Sequence, residues 1–160
     1  MIPVNYKSSC ALTGHRQLPS NFDHKVLFDE LETLIKEGCT SFFCGMALGF
    51  DLLALQLLVE LKERYPVYIE ACVPFKGQEN TFPEKERKLY RDLIQRCDVV
   101  TLLSDSYKNG CYLARNRYMV DCSDLLFAYC TKSAGGAAYT VRYATSTGKR
   151  VIFTKAHTIF

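Results

Sequence analysis

No apolar run in these 160 residues approaches the roughly 20 needed to cross a bilayer. The opening MIPVNYKSSC lacks a basic stretch followed by a long apolar one, so it does not read as a signal peptide, and the cytoplasm is the expected compartment. CxxC pairs are absent and the three histidines complete no zinc spacing, so no metal site is expected. The GxGxxG of a dinucleotide site and the GK[ST] of a Walker loop are missing too. No charge dominates: 20 Lys+Arg against 17 Asp+Glu leave +3, too little to argue for a nucleic-acid partner. Internal repeats, low-complexity segments and signs of a second domain are absent, so residues 1–160 are expected to form one domain.

Cysteine, by contrast, is plentiful, with eight residues. Cys10, Cys44, Cys72 and Cys130 lie inside apolar, strand-like runs, which reads as buried free thiols in a reducing compartment. Cys111 and Cys122 sit in more polar segments and are the candidates for a reactive thiol.

Short apolar runs alternate with longer amphipathic ones. Strands are expected at 8–13, 41–44, 67–73, 98–103, 125–130 and 151–153. Between them, Leu27, Phe28, Leu31, Leu34 and Ile35 share a helical face that Gly38 ends, and a Leu-rich helix opens at Asp51 and stops before Pro66. Leu89, Tyr90, Leu93 and Ile94 point a third helix inward, a fourth covers 112–122, and Gly135-Gly136 opens a fifth that ends near Gly148. Ser20 to Asp23 and Thr81 to Glu84 have capping-box spacing. This alternation predicts an α/β fold, a Rossmann-like three-layer α/β/α sandwich on a mainly parallel sheet of about six strands.

In such sheets ligands bind beyond the carboxyl ends of the strands, and the unusual residues gather there. Thr13-Gly14-His15-Arg16 follows the first strand; Gly14 admits a close backbone approach and Arg16 suits a phosphate, or the segment is a tight turn with an exposed arginine. Gly45-Met46-Ala47-Leu48-Gly49-Phe50-Asp51 follows the second; its glycines make an anion-accepting turn, and Asp51 either caps the helix or accepts from a ribose hydroxyl or a base. After the third strand, Phe75 either stacks on a base or tucks into the core, and Gln78 could read the base edge. Tyr107 precedes Arg115 and Asn116, a guanidinium beside an amide that suits phosphate or sugar, or else a solvated helix face. Gly135, Gly136 and Ala137 open their helix with unshielded amides, as in a phosphate cradle, or with small residues packed on the sheet.

Taken in order, TGHR at 13–16, GMALGFD at 45–51, the loop from Pro74 to Gln78, LARN at 113–116 and SAGGAAYT at 133–140 resemble the SLOG superfamily, most closely its YpsA-like bacterial branch. The resemblance covers nearly the whole chain. It implies a Rossmann-like domain that binds nucleotides or their derivatives. Similar proteins include phosphoribohydrolases often labelled lysine decarboxylases, and a DNA-processing protein that loads recombinase. The hydrolases carry a PGGxGTxxE motif whose glutamate works with an arginine on the glycosidic bond. Here the stretch reads AGGAAYTVR; Val141 and Arg142 stand where that carboxylate is wanted, and Ala137 stands where relatives often show threonine.

Three expectations follow. The first is a non-catalytic sensor of an NAD-, ADP-ribose- or nucleoside-monophosphate-like ligand, held by Thr13, Gly14, His15, Arg16, Gly45, Met46, Ala47, Gly49, Asp51, Phe75, Gln78, Arg115, Asn116, Gly135, Gly136 and Ala137. The second is an N-glycosidase using Asp51 or Asp121 with Arg115. Single-stranded DNA binding ranks last. The related hydrolases are homodimers, so self-association is also expected.

Overall fold

The computed structural model describes residues 9–157. Six strands, β1 (Ser9–Gly14), β2 (Ser41–Cys44), β3 (Tyr68–Val73), β4 (Val99–Leu102), β5 (Leu125–Tyr129) and β6 (Arg150–Phe153), alternate with five α-helices. These are α1 (His24–Lys36), α2 (Phe50–Lys62), α3 (Glu84–Ile94), α4 (Cys111–Asp121) and α5 (Gly136–Ser146). All pairings are parallel, in the order β4-β3-β2-β1-β5-β6. The Rossmann-like α/β architecture expected from the alternation is therefore observed.

Each strand shows alternate residues to opposite faces, and two cores result. Cys10 and Leu12 join Leu27, Leu31, Leu55 and Leu58 beneath α1, α2 and α3, whereas Ala11 joins Met119, Val120 and Ala144 beneath α4 and α5. From β1 in the middle of the sheet the chain builds outward to β4, then crosses back to lay β5 on the other side of β1. That reversal opens a crevice between the carboxyl ends of β1 and β5.

Helix boundaries follow local chemistry, with two corrections to the capping expectations. At α1 the cap is Asp23 itself, whose Oδ1 accepts from the Val26 amide at 3.1 Å, so the sequence box lay three residues too early. At α3 no side chain caps the start: Thr81 ends a 3₁₀ turn, Gln78–Thr81, and its hydroxyl donates to the Gln78 carbonyl. The end of α1 matches expectation. Gly38, at φ +105°, donates to Ile35 O while Cys39 donates to Leu34 O, the paired bonds that close a helix through a left-handed residue.

Candidate functional site

A cavity of about 550 Å³ lies at the strand-order reversal. Its walls come from the carboxyl end of β1 and the following loop (Thr13, Gly14, His15, Arg16, Gln17), from Ala47 and Asp51, from one face of α4, and from Lys132, Gly136 and Ala137. Segments far apart in sequence meet here because every β-to-α turn of a parallel sheet falls at the same end.

The α4 face carries Tyr112, Arg115 and Asn116 into this wall. Arg115 is 4% exposed and Asn116 7%. Arg115 donates through Nη1 to the Gly45 carbonyl and through Nε to Asn116 Oδ1 at 2.8 Å. The Asn116 carbonyl oxygen is thereby engaged, while its amide nitrogen lies 4.0 Å from where a Cβ on Gly136 would stand. Among the described residues that nitrogen makes no hydrogen bond, and it lies toward the start of α5.

The start of α5 leaves its first amides without a side-chain cap. Gly135, at φ +99°, takes the position before the helix and provides no side-chain cap, and Tyr139 makes the first helical bond back to Gly135 O. The amides of Gly136, Ala137 and Ala138 therefore precede any intrahelical acceptor, at the positive end of the helix dipole. A Cβ at Gly135 would meet nothing within 4 Å, so this approach is open.

The glycine-bearing turn after β2 does something else. Two of its amides are already engaged: Ala47 donates to Asp51 Oδ2 at 3.2 Å, and Phe50 donates to His15 O at 3.1 Å. The anion-accepting turn expected there is corrected accordingly. Gly45 is glycine because a Cβ would lie 2.8 Å from the Arg115 guanidinium carbon, and Gly14 because a Cβ would lie 2.4 Å from Phe50 Cβ. Met46 holds a left-handed φ of 61° while fully buried, a strained conformation that keeps the turn closed over Asp51. Gln78 is buried and donates to Gly45 O at 3.2 Å, so it braces the carbonyl that Arg115 uses instead of reading a base.

Asp51 is buried beside this network. Burial pushes its carboxyl from 3.8 up to about 6, against the opposing pull of Arg115, the Ala47 and Gly45 amides and Arg16. A raised acid binds its proton more tightly folded than unfolded, so its contribution to stability is complete below pH 3.8 and is lost as pH rises to about 6. Asp51→Asn should abolish that loss. Denaturant titrations of both proteins between pH 4 and 8 should differ by a slope that integrates to about 3 kcal/mol; parallel profiles would show that Asp51 titrates normally.

Thr131 donates its backbone amide to His15 Nε2 at 2.9 Å, which ties the loop after β5 to the loop after β1. Burial lowers the pKa of His15, and Lys132 and His157 push the same way, so the ring remains a neutral acceptor at physiological pH. Beside the cavity mouth, Phe75, Tyr107 and Tyr112 form an aromatic cluster with centroids 5.4 to 6.2 Å apart. Arg16 lies 5.1 Å over the Tyr112 ring, and Tyr107 is 59% exposed.

Of the residues expected from sequence, Thr13, Gly14, His15, Arg16, Ala47, Asp51, Arg115, Asn116, Gly136 and Ala137 line the cavity together. Gly45, Met46, Gly49 and Gln78 support it from behind, Gly135 precedes the cradle, and Phe75 stands in the aromatic cluster. Asp121 does not belong. It closes the far end of α4, toward the amino ends of the strands, and accepts from the Tyr143 hydroxyl at 2.7 Å. Among the described residues Asp51 is thus the one carboxylate lining the cavity. The reactive-thiol expectation is corrected as well: Cys111 is buried, and burial raises the Cys122 thiol. Leu12, Gln17, Tyr112 and Lys132 were missed as wall residues. Tyr112 was within reach of sequence reasoning, since it lies three residues before Arg115 on the same helical face.

A family model described as the YspA SLOG family (YpsA) matches residues 19–156. The chain belongs to that family. Curated relatives of this YpsA-family chain include the UPF0398 protein BH1768 of Halalkalibacterium halodurans, 28% identical over 146 residues, covering 88% of this chain and 77% of the relative. A UPF0398 protein of Bacillus cereus strain G9842 is 26% identical over 129 residues, covering 78% and 70%. Among solved structures, the single-stranded-DNA-binding DNA processing protein A of Helicobacter pylori superposes with a TM-score of 0.68 at 19% identity, over 92% of this chain. DNA processing protein A of Streptococcus pneumoniae gives 0.67 at 17%, over 91%. The chain spans only 65% and 49% of those two proteins, and the likeness shows a shared fold. No helix among the described residues is long and apolar enough to cross a membrane.

Proposed function

We propose that this YpsA-family chain binds a nucleotide or nucleotide derivative in the β1/β5 crevice. One observation carries the reading: a buried arginine and a buried asparagine amide face the open, glycine-lined start of α5 across a single cavity. The phosphate sits on the Gly136 and Ala137 amides with Arg115 and Asn116 on its other side. Asp51 accepts from a sugar hydroxyl. The base leaves the cavity toward Tyr112, where Arg16 and the aromatic cluster offer a face. The chain acts as a sensor, because among the described residues Asp51 has no second carboxylate in the cavity to share acid–base work with.

A second reading rests on the same aromatic cluster. Exposed Tyr107 packs beside Tyr112, over which Arg16 lies, a surface that suits successive bases of a single strand, and the H. pylori neighbour binds single-stranded DNA.

The test is a melting-temperature panel of nucleoside monophosphates, NAD, ADP-ribose and a short oligothymidylate, with each mixture checked for released base. A saturating ligand at a hundred times Kd should raise Tm by roughly 5–10 °C. A small nucleotide that stabilises without base release supports the sensor. Base release that depends on Asp51 makes the chain an N-glycosidase. A salt-sensitive shift with the oligonucleotide alone selects the second reading, and no shift with any probe ends the proposal.

A further inference from the structure

The outermost strand, β4, is bare. Val99, Val100, Leu102 and the following Leu103 are 38%, 51%, 45% and 37% exposed. An edge strand normally carries a lysine, a proline or an inward-pointing charge that discourages pairing, and Val-Val-Thr-Leu has none of them. Both faces contribute. Val100 and Leu102 lie over the groove beside α3, whereas Thr101 donates to Glu70 on the α4 side, the side it shares with Val99 and Leu103. Leu103 donates its amide to Val73 O, toward β3. By alternation Thr101 directs its backbone groups the same way, and Val100 and Leu102 present theirs outward.

We infer that β4 pairs antiparallel with β4 of a second copy of this chain, about a two-fold axis at Thr101, so that one sheet runs through both copies. The choice of partner comes from the register. A two-fold axis normal to the sheet keeps every side chain on its own face, so opposed residues must be an even number apart. Centred on Thr101, Val100 opposes Leu102 and Val99 opposes Leu103, and all four exposed apolar chains meet apolar chains. Shifting the centre to Val100 sets Leu102 against Asp98, and shifting it to Leu102 sets Val99 against Asp105. The Thr101 register also lets Val100 and Leu102 exchange both hydrogen bonds with their opposites, satisfying the outward backbone groups of the strand. In addition, the second strand walls the groove of about 340 Å³ that Tyr90, Ile94, Val100 and Leu102 leave beside α3. The antiparallel arrangement points the two cavities to opposite edges of the shared sheet, so this pairing stands independently of the ligand reading.

Sedimentation velocity on the full chain tests it. The wild type should sediment as a dimer through the micromolar range. The double variant Val100→Lys, Leu102→Lys opposes like charges and should raise the dimer Kd at least about a hundredfold, with unchanged circular dichroism. Thr101→Cys supplies a check that survives misfolding of the lysine variant. The Thr101 pair is a non-hydrogen-bonded one, with Cα atoms about 4.5 Å apart, close enough for a disulfide. Mild oxidation should give a reductant-sensitive covalent dimer that the wild type, with its own cysteines, does not form. A monomeric wild type, a dimer indifferent to both lysines, or no Thr101→Cys dimer would overturn the assignment.

Discussion

Gly49→Ala should destabilise the protein by about 4 kcal/mol, a large part of the stability of a domain this size. Two costs combine at this position. The backbone is held at φ +78°, which L side chains rarely adopt, and a Cβ would stand 2.3 Å from the Arg16 carbonyl oxygen. That oxygen is backbone in the loop that also gives its His15 carbonyl to the Phe50 amide, so it has no free rotamer with which to retreat. Gly38→Ala separates the two costs. Its φ is +105°, yet nothing lies within 4 Å of the added Cβ, so only the conformational cost of about 1 kcal/mol applies. Urea unfolding of both variants gives the comparison. Equal losses would mean that the loop between β1 and α1 moves freely away from the start of α2, and that the cavity wall it forms is soft.

Arg115→Met should weaken binding of a phosphorylated ligand about a hundredfold or more, and binding of the matching nucleoside far less. The guanidinium is buried, braced by Gly45 O and Asn116 Oδ1, and cannot be replaced by water without rearranging both. Methionine fills much of the volume while removing the charge and the fork of donors. Lysine at the same position keeps the charge and loses the fork, so Arg115→Lys should fall between the two. Calorimetric titration with nucleotide and nucleoside separates the phosphate contribution from general damage. Equal losses for both ligands would show that Arg115 only supports the wall. The Met variant also removes the charge that restrains Asp51, so its stability should go on falling with pH above about 6, where the loss in the wild type levels off.

The architecture was legible because its signals are local. Each strand is a short apolar run and each helix a run of period near four, and strands such as Ser41–Cys44 matched to the residue. Half of the site was legible for a related reason: in a parallel sheet the turn after every strand lies at one end, so Arg16, Asp51 and Gly136 had to meet. What escaped depends on contacts between distant residues. Nothing local says that Gln78 and Arg115 both donate to Gly45 O, thirty-three and seventy positions away. The engaged amides of Ala47 and Phe50 were equally hidden, since one acceptor is a side chain folding back and the other is the carbonyl of His15. Asp121 failed for a simpler reason: it lies six residues beyond Arg115, well over a helical turn, which carries it away from the cavity.

The place of β1 at the middle of the sheet sets the order in which a growing chain can finish its parts. By the time residue 103 has emerged from the ribosome, β1 to β4 and the helices α1 to α3 are all available, and much of one face of the sheet can close, short of Phe127, Tyr129 and Ala156. Arg115, Asn116, Lys132 and Gly136 have not yet emerged. The nascent half therefore holds Asp51 and Arg16 without the start of α5 opposite them, and a ligand of the proposed site can assist folding only after α5 emerges. A ligand added during translation should leave the first half unaffected and lock the second in place as it arrives.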